Sequence, residues 1–301
     1  MKNKLLTMIL TLSFLSAGDL GGYSIFEYNN RAFEMNRVYL QYTDDLSDDL
    51  FLKIRYDVGR EGANKDGKFS SYLKNAYVDW DIQEYGKLSL GLIGTNSYSV
   101  QETNWGYRFI AKSAPDMYGF TNTADLGIGI SKSIGNIELS IQALNGEGFK
   151  NKDQDKSSST YFRALYGEKK LNKNDGFNLG LVYNNNSHTN ETLFGAFGGY
   201  AAKHLGSHYR VGIEYNIYEN TSITEKVTSL YSDVNFNKYK NTNVFFRLDS
   251  HSTHSIEDVP NLEDVTMYFG CVINPVKGLY ISPHLVNNDN TDYKITFMFK
   301  Y

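Results

Sequence analysis

Along nearly all of this 301-residue chain, apolar and polar residues alternate one by one, with a period of two. In "HYRVGIEYNI", Tyr209, Val211, Ile213, Tyr215 and Ile217 share one face, and Arg210, Gly212, Glu214 and Asn216 share the other. "FNLGLVYN", "LFLKIRYDV", "NIELSIQA" and "ADLGIGIS" repeat the scheme. Side chains two apart lie on one side of a strand, so this period specifies β structure with two chemically different faces. Sixteen such segments can be marked, from near residue 22 to Tyr301, with fourteen or eighteen as alternatives. Most are about ten residues long, the length a tilted strand needs to cross the apolar core of a bilayer. The last, "DYKITFMFKY", alternates to the final atom, where chain ends ordinarily fray.

The connections sort into two kinds. Tight polar turns near 44–48, 83–86, 133–135, 170–175, 203–206, 237–241 and 274–277 alternate with longer or more polar connections. The longest of these are near 59–70, 96–121, 146–158 and 251–262. Long loops at one end and short turns at the other define an up-and-down meander, the layout of a transmembrane antiparallel β-barrel. Composition agrees: 24 Tyr and 18 Phe favour strands, and only 4 Pro interrupt ladders. Mean hydropathy is −0.44, and no apolar run after the N-terminus reaches spanning-helix length. Thirty basic against 34 acidic residues give no nucleic-acid signature. The single cysteine, Cys271, reads as a small apolar strand residue. Lys2 and Lys4, the apolar run Leu5–Leu15 and the small residues at 16–18 read as a secretory signal cut after Ala17 or Gly18. This divides the chain into a signal peptide, 1–18, and a barrel, 19–301.

The face assignment follows. Arg37, Lys53, Arg55, Asp57, Asp79, Arg163, Arg210, Glu214 and Arg247 fall on polar faces and are expected to line water inside a closed barrel. The apolar faces would meet outer-membrane lipid. Tyr42, Tyr56, Trp80, Tyr183, Tyr209, Tyr293 and Tyr301 sit near strand ends, where amphipathic rings suit the headgroup boundary. Three places fit poorly: Pro283 lies mid-strand, Met298 points inward, and "FGAFGGYAA" has no polar face.

"FEMNRVYLQY" (Phe33–Tyr42), "LFLKIRYDVGR" (Leu50–Arg60), "YLKNAYVDW" (Tyr72–Trp80), "GKLSLGLIG" (Gly86–Gly94) and the run Asn104–Ile130 come in a recognisable order. Together they resemble bacterial outer-membrane porins of the phosphate-selective porin O and P type, most clearly from Phe33 to Ile141. The resemblance implies a sixteen-stranded barrel, often a homotrimer, passing small hydrophilic solutes, with a long loop folded into the lumen. The matching loop is Asn96–Asn122. Its "YRFIAKSAPDM" reads as a short helix with Arg108 and Lys112 four apart on one face. Family phosphate channels use basic side chains along the pore, a role carried here onto Arg37, Lys53, Arg55 and Arg60. Asp57, Asp79, Asp125, Glu138 and Glu214 interleave with them, which argues for weak selectivity. The terminal aromatic resembles the signal read by the bacterial barrel-assembly machinery.

No motif points to an enzyme, a cofactor or a metal. His251 and His254 in "HSTHS" read as residues of a solvated external loop. Glu102 and Asp116 are two loop carboxylates at unconstrained distance. The reading is therefore an exported porin giving passive, weakly selective diffusion of small hydrophilic solutes or ions, including anions such as phosphate. Its alternatives are an adhesion barrel with a blocked lumen and, less favoured, an outer-membrane lipid hydrolase. The latter lacks a justified Ser/His pair.

Overall fold

A computed structural model describes residues 18–29, 31–60, 68–152, 157–187, 189–235, 241–255 and 262–301. The leader at 1–17 lies outside the described residues. The strands are β1 (Asp19–Asn29), β2 (Ala32–Ser47), β3 (Leu50–Arg60), β4 (Phe69–Asp81), β5 (Lys87–Gly94), β6 (Ala124–Ile134), β7 (Ile137–Leu144) and β8 (Ser159–Gly167). The second half is β9 (Gly176–Asn186), β10 (Glu191–His204), β11 (Ser207–Glu219), β12 (Ile223–Asn235), β13 (Thr242–Ser255), β14 (Leu262–Val276), β15 (Leu279–Asn287) and β16 (Thr291–Lys300). Each pairs antiparallel with its neighbours in sequence, and β1 pairs with β16, so the sheet closes as a sixteen-stranded barrel.

Closure runs to the last residue. Tyr23 to Asn29 pair with Lys300 down to Lys294. The Tyr301 and Gly22 backbones exchange two hydrogen bonds, 2.9 and 3.1 Å. A Cβ on Gly22 would come within 2.0 Å of the Tyr39 carbonyl oxygen, so the seam needs glycine there. With no free edge, no strand carries an open row of backbone groups into the membrane.

The two faces separate by parity. On β9, Phe177, Leu179, Leu181 and Tyr183 are exposed outward while Asn178 and Asn184 are buried inward. On β11, Tyr209, Val211, Ile213 and Tyr215 point out, and Arg210, Glu214 and Asn216 point in. An outer surface this apolar has to meet hydrocarbon, not water.

The irregularities each have a cause. Pro283 keeps its place in the β15–β16 register opposite Ile295, but the β14–β15 pairing skips from Gly270↔His284 to Ile273↔Ile281. The missing proline N–H is thus absorbed on the β14 side. Gly270 allows the approach, since a Cβ there would sit 2.4 Å from His284 Cβ. "HSTHS" is not loop: β13 continues through Ser255. Strand parity turns His251 and His254, three apart, to opposite faces, which rules out a shared metal between them.

Candidate functional site

The connection from β5 to β6 enters the barrel. It forms helix α1 (Ser99–Trp105) and a short helix α2 (Ala114–Met117), with no helix over 106–113. The helix expected over "YRFIAKSAPDM" therefore begins earlier in "SVQETNW", and only its end appears, as α2. Gly106 ends α1 in the left-handed region at φ 78°, and its N–H donates to the Glu102 carbonyl at 2.8 Å. A Cβ on Gly106 would lie 2.3 Å from Arg210 Nη1, so glycine also makes room for that guanidinium.

α1 packs on β11, and α2 on β11 and β12. One wall is built to receive them. Trp105, Tyr107, Phe109 and Ala111 join Tyr231, Phe245, Tyr268 and Val272 in a buried cluster, with Met298 packed against it. Leu193 of β10 packs with Ala114 and Phe120, and Phe197 with Val100. This accounts for "FGAFGGYAA", whose inward Phe197 packs under the loop, and for Met298, which packs against the loop's aromatic cluster.

The polar residues expected as channel wall divide in two. Arg163, Arg210, Glu214 and Arg247 lie buried beneath the loop and bond to it or to its supports. Arg163 donates to Ser99 Oγ at 2.9 Å and pairs with Glu138. Arg210 pairs with Asp233 at 2.5 Å under the Tyr107 ring, and the Tyr107 hydroxyl donates to the same carboxylate at 3.0 Å. Glu214 accepts from the Ala114 N–H at 3.5 Å. Arg247, fully buried, makes two 2.8 Å contacts to Asp249, donates to the Lys112 carbonyl at 2.6 Å, and lies 5.2 Å from the Trp105 ring centroid. Low dielectric strengthens such ionic contacts. Arg163, Glu214 and Arg247 serve as loop anchors rather than as groups open to solute, which corrects the expectation for these three, whereas Arg210 anchors the loop and also lines a cavity of about 430 Å³ on the short-turn side with Lys173, His208 and Lys300.

Arg37, Lys53, Arg55, Asp57 and Asp79 lie on the opposite wall, β2–β4. Arg37 Nε is 3.1 Å from Asp57 Oδ1, and Arg55 donates twice to Gln41 Oε1, at 2.6 and 3.1 Å. Lys53 shares the Arg55 face by strand parity. Asp79 pairs with Lys87 at 2.8 Å, near the short-turn end. Arg60 closes β3, but its side chain lies outside the described part of the structure.

Three contributors escaped the sequence reading. A β-bulge opposite Arg55/Tyr56 makes Lys74 the extra residue of β4, so both Lys74 and Asn75 are buried inward. Strict alternation puts Lys74 outside, and no sequence signal marks the bulge. Lys74 lies 3.6 Å from Asp57. Tyr39 gathers the wall: Lys74 and Arg37 donate to its hydroxyl at 3.1 and 3.3 Å, and the Arg55 guanidinium lies 5.2 Å from its ring centroid. Leu171, fully buried, turns inward from the β8–β9 turn and reaches Gly199 beside Asn104. As the one apolar residue in the turn "EKKLNKND", it could have been noticed.

Between the loop and the β2–β4 wall lie two cavities. One, of about 280 Å³ on the long-loop side, is lined by Arg37, Asp57, Lys74, Arg108, Lys112 and Asp116 among others. The other, of about 350 Å³ on the short-turn side, is lined by Gln41, Arg55, Glu102, Arg108, Lys300 and Tyr301 among others. Arg108 borders both. Its Nε is 2.7 Å from Glu102 and its Nη2 3.1 Å from Asp116, and Lys112 is 3.2 Å from Asp116. The two loop carboxylates are therefore the counter-charges of Arg108 and Lys112. Burial raises the Glu102 carboxyl from its ordinary value, against the lowering by Arg108. Burial also works against the charge on Arg108, but Glu102 and Asp116 outweigh it and hold the guanidinium protonated.

The family profile for phosphate-selective porin O and P matches residues 15–228, well over half the chain. The chain belongs to that family. The match reaches past Ile141, where the residue-level resemblance weakens, through β10 and β11, the first of the strands that receive the loop. This porin is thus a bacterial outer-membrane channel protein. No curated protein matches it. Among solved structures, the porin is similar to OmpT of Vibrio cholerae in a trimer form (TM-score 0.66, 10% identity, covering 94% of this chain and 98% of that one). A loop L8 deletion variant of OmpT gives TM-score 0.65 at 12% identity, covering 95% and 100%. Salmonella typhi OmpF in complex with daunomycin gives 0.64 at 11%, covering 95% and 98%. At these identities the likeness is one of fold.

Proposed function

We propose that this porin passes small hydrophilic solutes passively, with weak selectivity and a modest bias toward anions, phosphate among them. The observation that carries this reading is the position of Arg108, which borders the cavities on both sides of the loop and faces the Arg37, Lys74 and Arg55 wall. Solute crossing the barrel on this side passes that guanidinium. On the loop, Arg108 and Lys112 are balanced by Glu102 and Asp116. On the wall, Arg37 and Lys74 share Asp57, while Arg55 is held by a neutral amide. The sum is a small positive excess inside a field set by opposed charges, which sorts solutes by charge and orders water without a cofactor or an energy source. The basic residues Arg37, Lys53, Arg55, Lys74, Arg108 and Lys112 are the solute-facing set. Residues 1–18 act as an export signal, the C-terminal strand addresses the assembly machinery, and the porin works as a homotrimer, as OmpT has been seen in a trimer form.

Reversal potentials across a planar bilayer in a salt gradient test the reading. Resolvable steps with a mild anion preference are expected. A purified barrel without steps would remove the channel, and a strong preference for phosphate over chloride would remove the weak selectivity.

A further inference from the structure

The cavity of about 430 Å³ that Arg210 borders opens at the short-turn end, against the loop, along the arc of wall from the β8–β9 turn round to β16. Its two flanks differ in chemistry. One is polar, with Lys173 of the β8–β9 turn, His208 and Arg210 of β11, and Asp233 of β12. The other is apolar, with Val272 of β14, Tyr280 of β15 and Met298 of β16, joined by Tyr107 and Phe109 of the loop. These five belong to the aromatic cluster that seats the loop or pack against it, so the cavity borders that cluster. The Phe109 and Tyr280 ring centroids are 6.2 Å apart. Lys300, two residues beyond Met298, shares its face and adds a cation to the apolar flank.

The charges on the lining are unequally matched. Asp233 is its one carboxylate among the described residues, and three donors hold it: Arg210 Nη2 at 2.5 Å, and the Tyr107 hydroxyl and Asn243 amide, each at 3.0 Å. Arg210 and Asp233 therefore offset one another. His208 Nε2 lies 3.3 Å from Asp175, a residue outside the lining. Lys173 and Lys300 make no ion pair with any described residue. Two ammonium groups without counter-charges thus face a cavity with an aromatic side.

That pairing selects a ligand. An inorganic anion meets the lysines but leaves the apolar flank in water. A neutral aromatic covers the flank and leaves the lysines unanswered. An organic cation finds the one carboxylate already held by three donors. A flat apolar body carrying one negative charge suits both flanks, with its ring against Phe109, Tyr280 and Met298 and its charge toward a lysine. We infer that this cavity binds an aromatic carboxylate at the short-turn mouth of the pore. Phe109, Met298 and Lys300 also border the pore cavity beside Arg108, so the ligand sits where solute enters or leaves the constriction. The inference rests on the channel reading for the part the site plays in passage; binding itself is measured without conduction.

The test is saturation-transfer NMR on the full barrel in detergent micelles, with benzoate as probe, benzyl alcohol as its neutral counterpart, inorganic phosphate as competitor and empty micelles as blank. Transfer to benzoate should exceed the blank, exceed that to benzyl alcohol, and persist in equimolar phosphate. Lys173 is exposed on a turn, so Lys173→Gln should fold as the parent does. It should raise the benzoate dissociation constant about threefold, the loss of one solvent-exposed charge contact, and leave benzyl alcohol unchanged. Tyr280→Ala should weaken both ligands. Transfer to benzoate no greater than the blank, or parent-like benzoate affinity in both variants, would overturn the proposal. Equal affinity for benzyl alcohol would overturn the role of the charge, and full displacement by equimolar phosphate would overturn the aromatic class. Unitary steps in benzoate-free salt report on the channel reading alone, so failure of one does not imply failure of the other.

Discussion

Arg108 owes its position to two carboxylates that are six residues before it and eight after it in the chain. Neither spacing is one that a helix or strand would make significant, so the cluster is invisible until the loop folds. Its charge balance should respond to pH. The Glu102 carboxyl is raised by burial, so it takes up its proton at a higher pH than an ordinary carboxylate does. Protonation removes one negative charge from beside Arg108 and leaves the guanidinium less compensated. Anion preference should therefore grow as pH falls from neutrality into the acidic range, read as a reversal-potential shift. In Glu102→Gln the greater anion preference should already be present at pH 7, with most of the pH dependence gone. A parent-like titration in that variant would show that other carboxylates set the response. Lys74 makes a second point at this scale: a single bulged residue moves a cation from the lipid side to the lumen, and only the register of β3 on β4 reveals it.

At the scale of elements, the loop and the strands beneath it form one unit. Four charged side chains that read from sequence as water-facing wall fasten it, because each finds a loop group or a loop-facing counter-ion within bonding distance; of the four, Arg210 also lines open space on the short-turn side. The strongest case is Arg247 with Asp249 and the Lys112 carbonyl. Arg247→Met should leave Asp249 buried and uncompensated, at a cost of about 3–5 kcal/mol. Thermal denaturation should come at lower temperature, and the loop, freed at Lys112, should give a larger and noisier unitary conductance. The double variant Arg247→Met/Asp249→Leu should recover much of the stability while the conductance stays altered, since the stranded charge is gone but the hydrogen bond to Lys112 is not restored. Unchanged conductance in both would show that the loop is held without Arg247. All sixteen strands were legible beforehand, because alternation is a local property and bilayer thickness sets a common length. The wall that receives the loop was legible only as an anomaly: "FGAFGGYAA" lacked a polar face, with nothing in the residues to say what would cover it.

For the whole molecule, closure is the decisive step. β16 must meet β1, and its last residues carry the seam: Lys300 and Phe299 pair with Tyr23 and Ser24, Phe299 also pairs with Leu279, and Tyr301 is held by Gly22. Deleting Phe299–Tyr301 should open that edge at the short-turn end and impair membrane assembly. The check is loss of the heat-modifiable folded band on unheated gels and loss of membrane-inserted protein. Normal insertion of the truncated chain would reduce the stretch to an ordinary strand end.

What the sequence alone determined is everything that repeats locally: the β period, the strand length, the alternation of long and short connections, and the lipid-facing side. Those follow from the geometry of a strand and the thickness of a bilayer, which each segment senses by itself. Only the tertiary structure decided which inward charges face water and which face the loop, where Arg108 finds its counter-charges, and that Lys74 belongs to the lumen. Those outcomes depend on which distant residues are brought together. A polar side chain reads the same in sequence whether its partner is water, a carboxylate or a buried carbonyl.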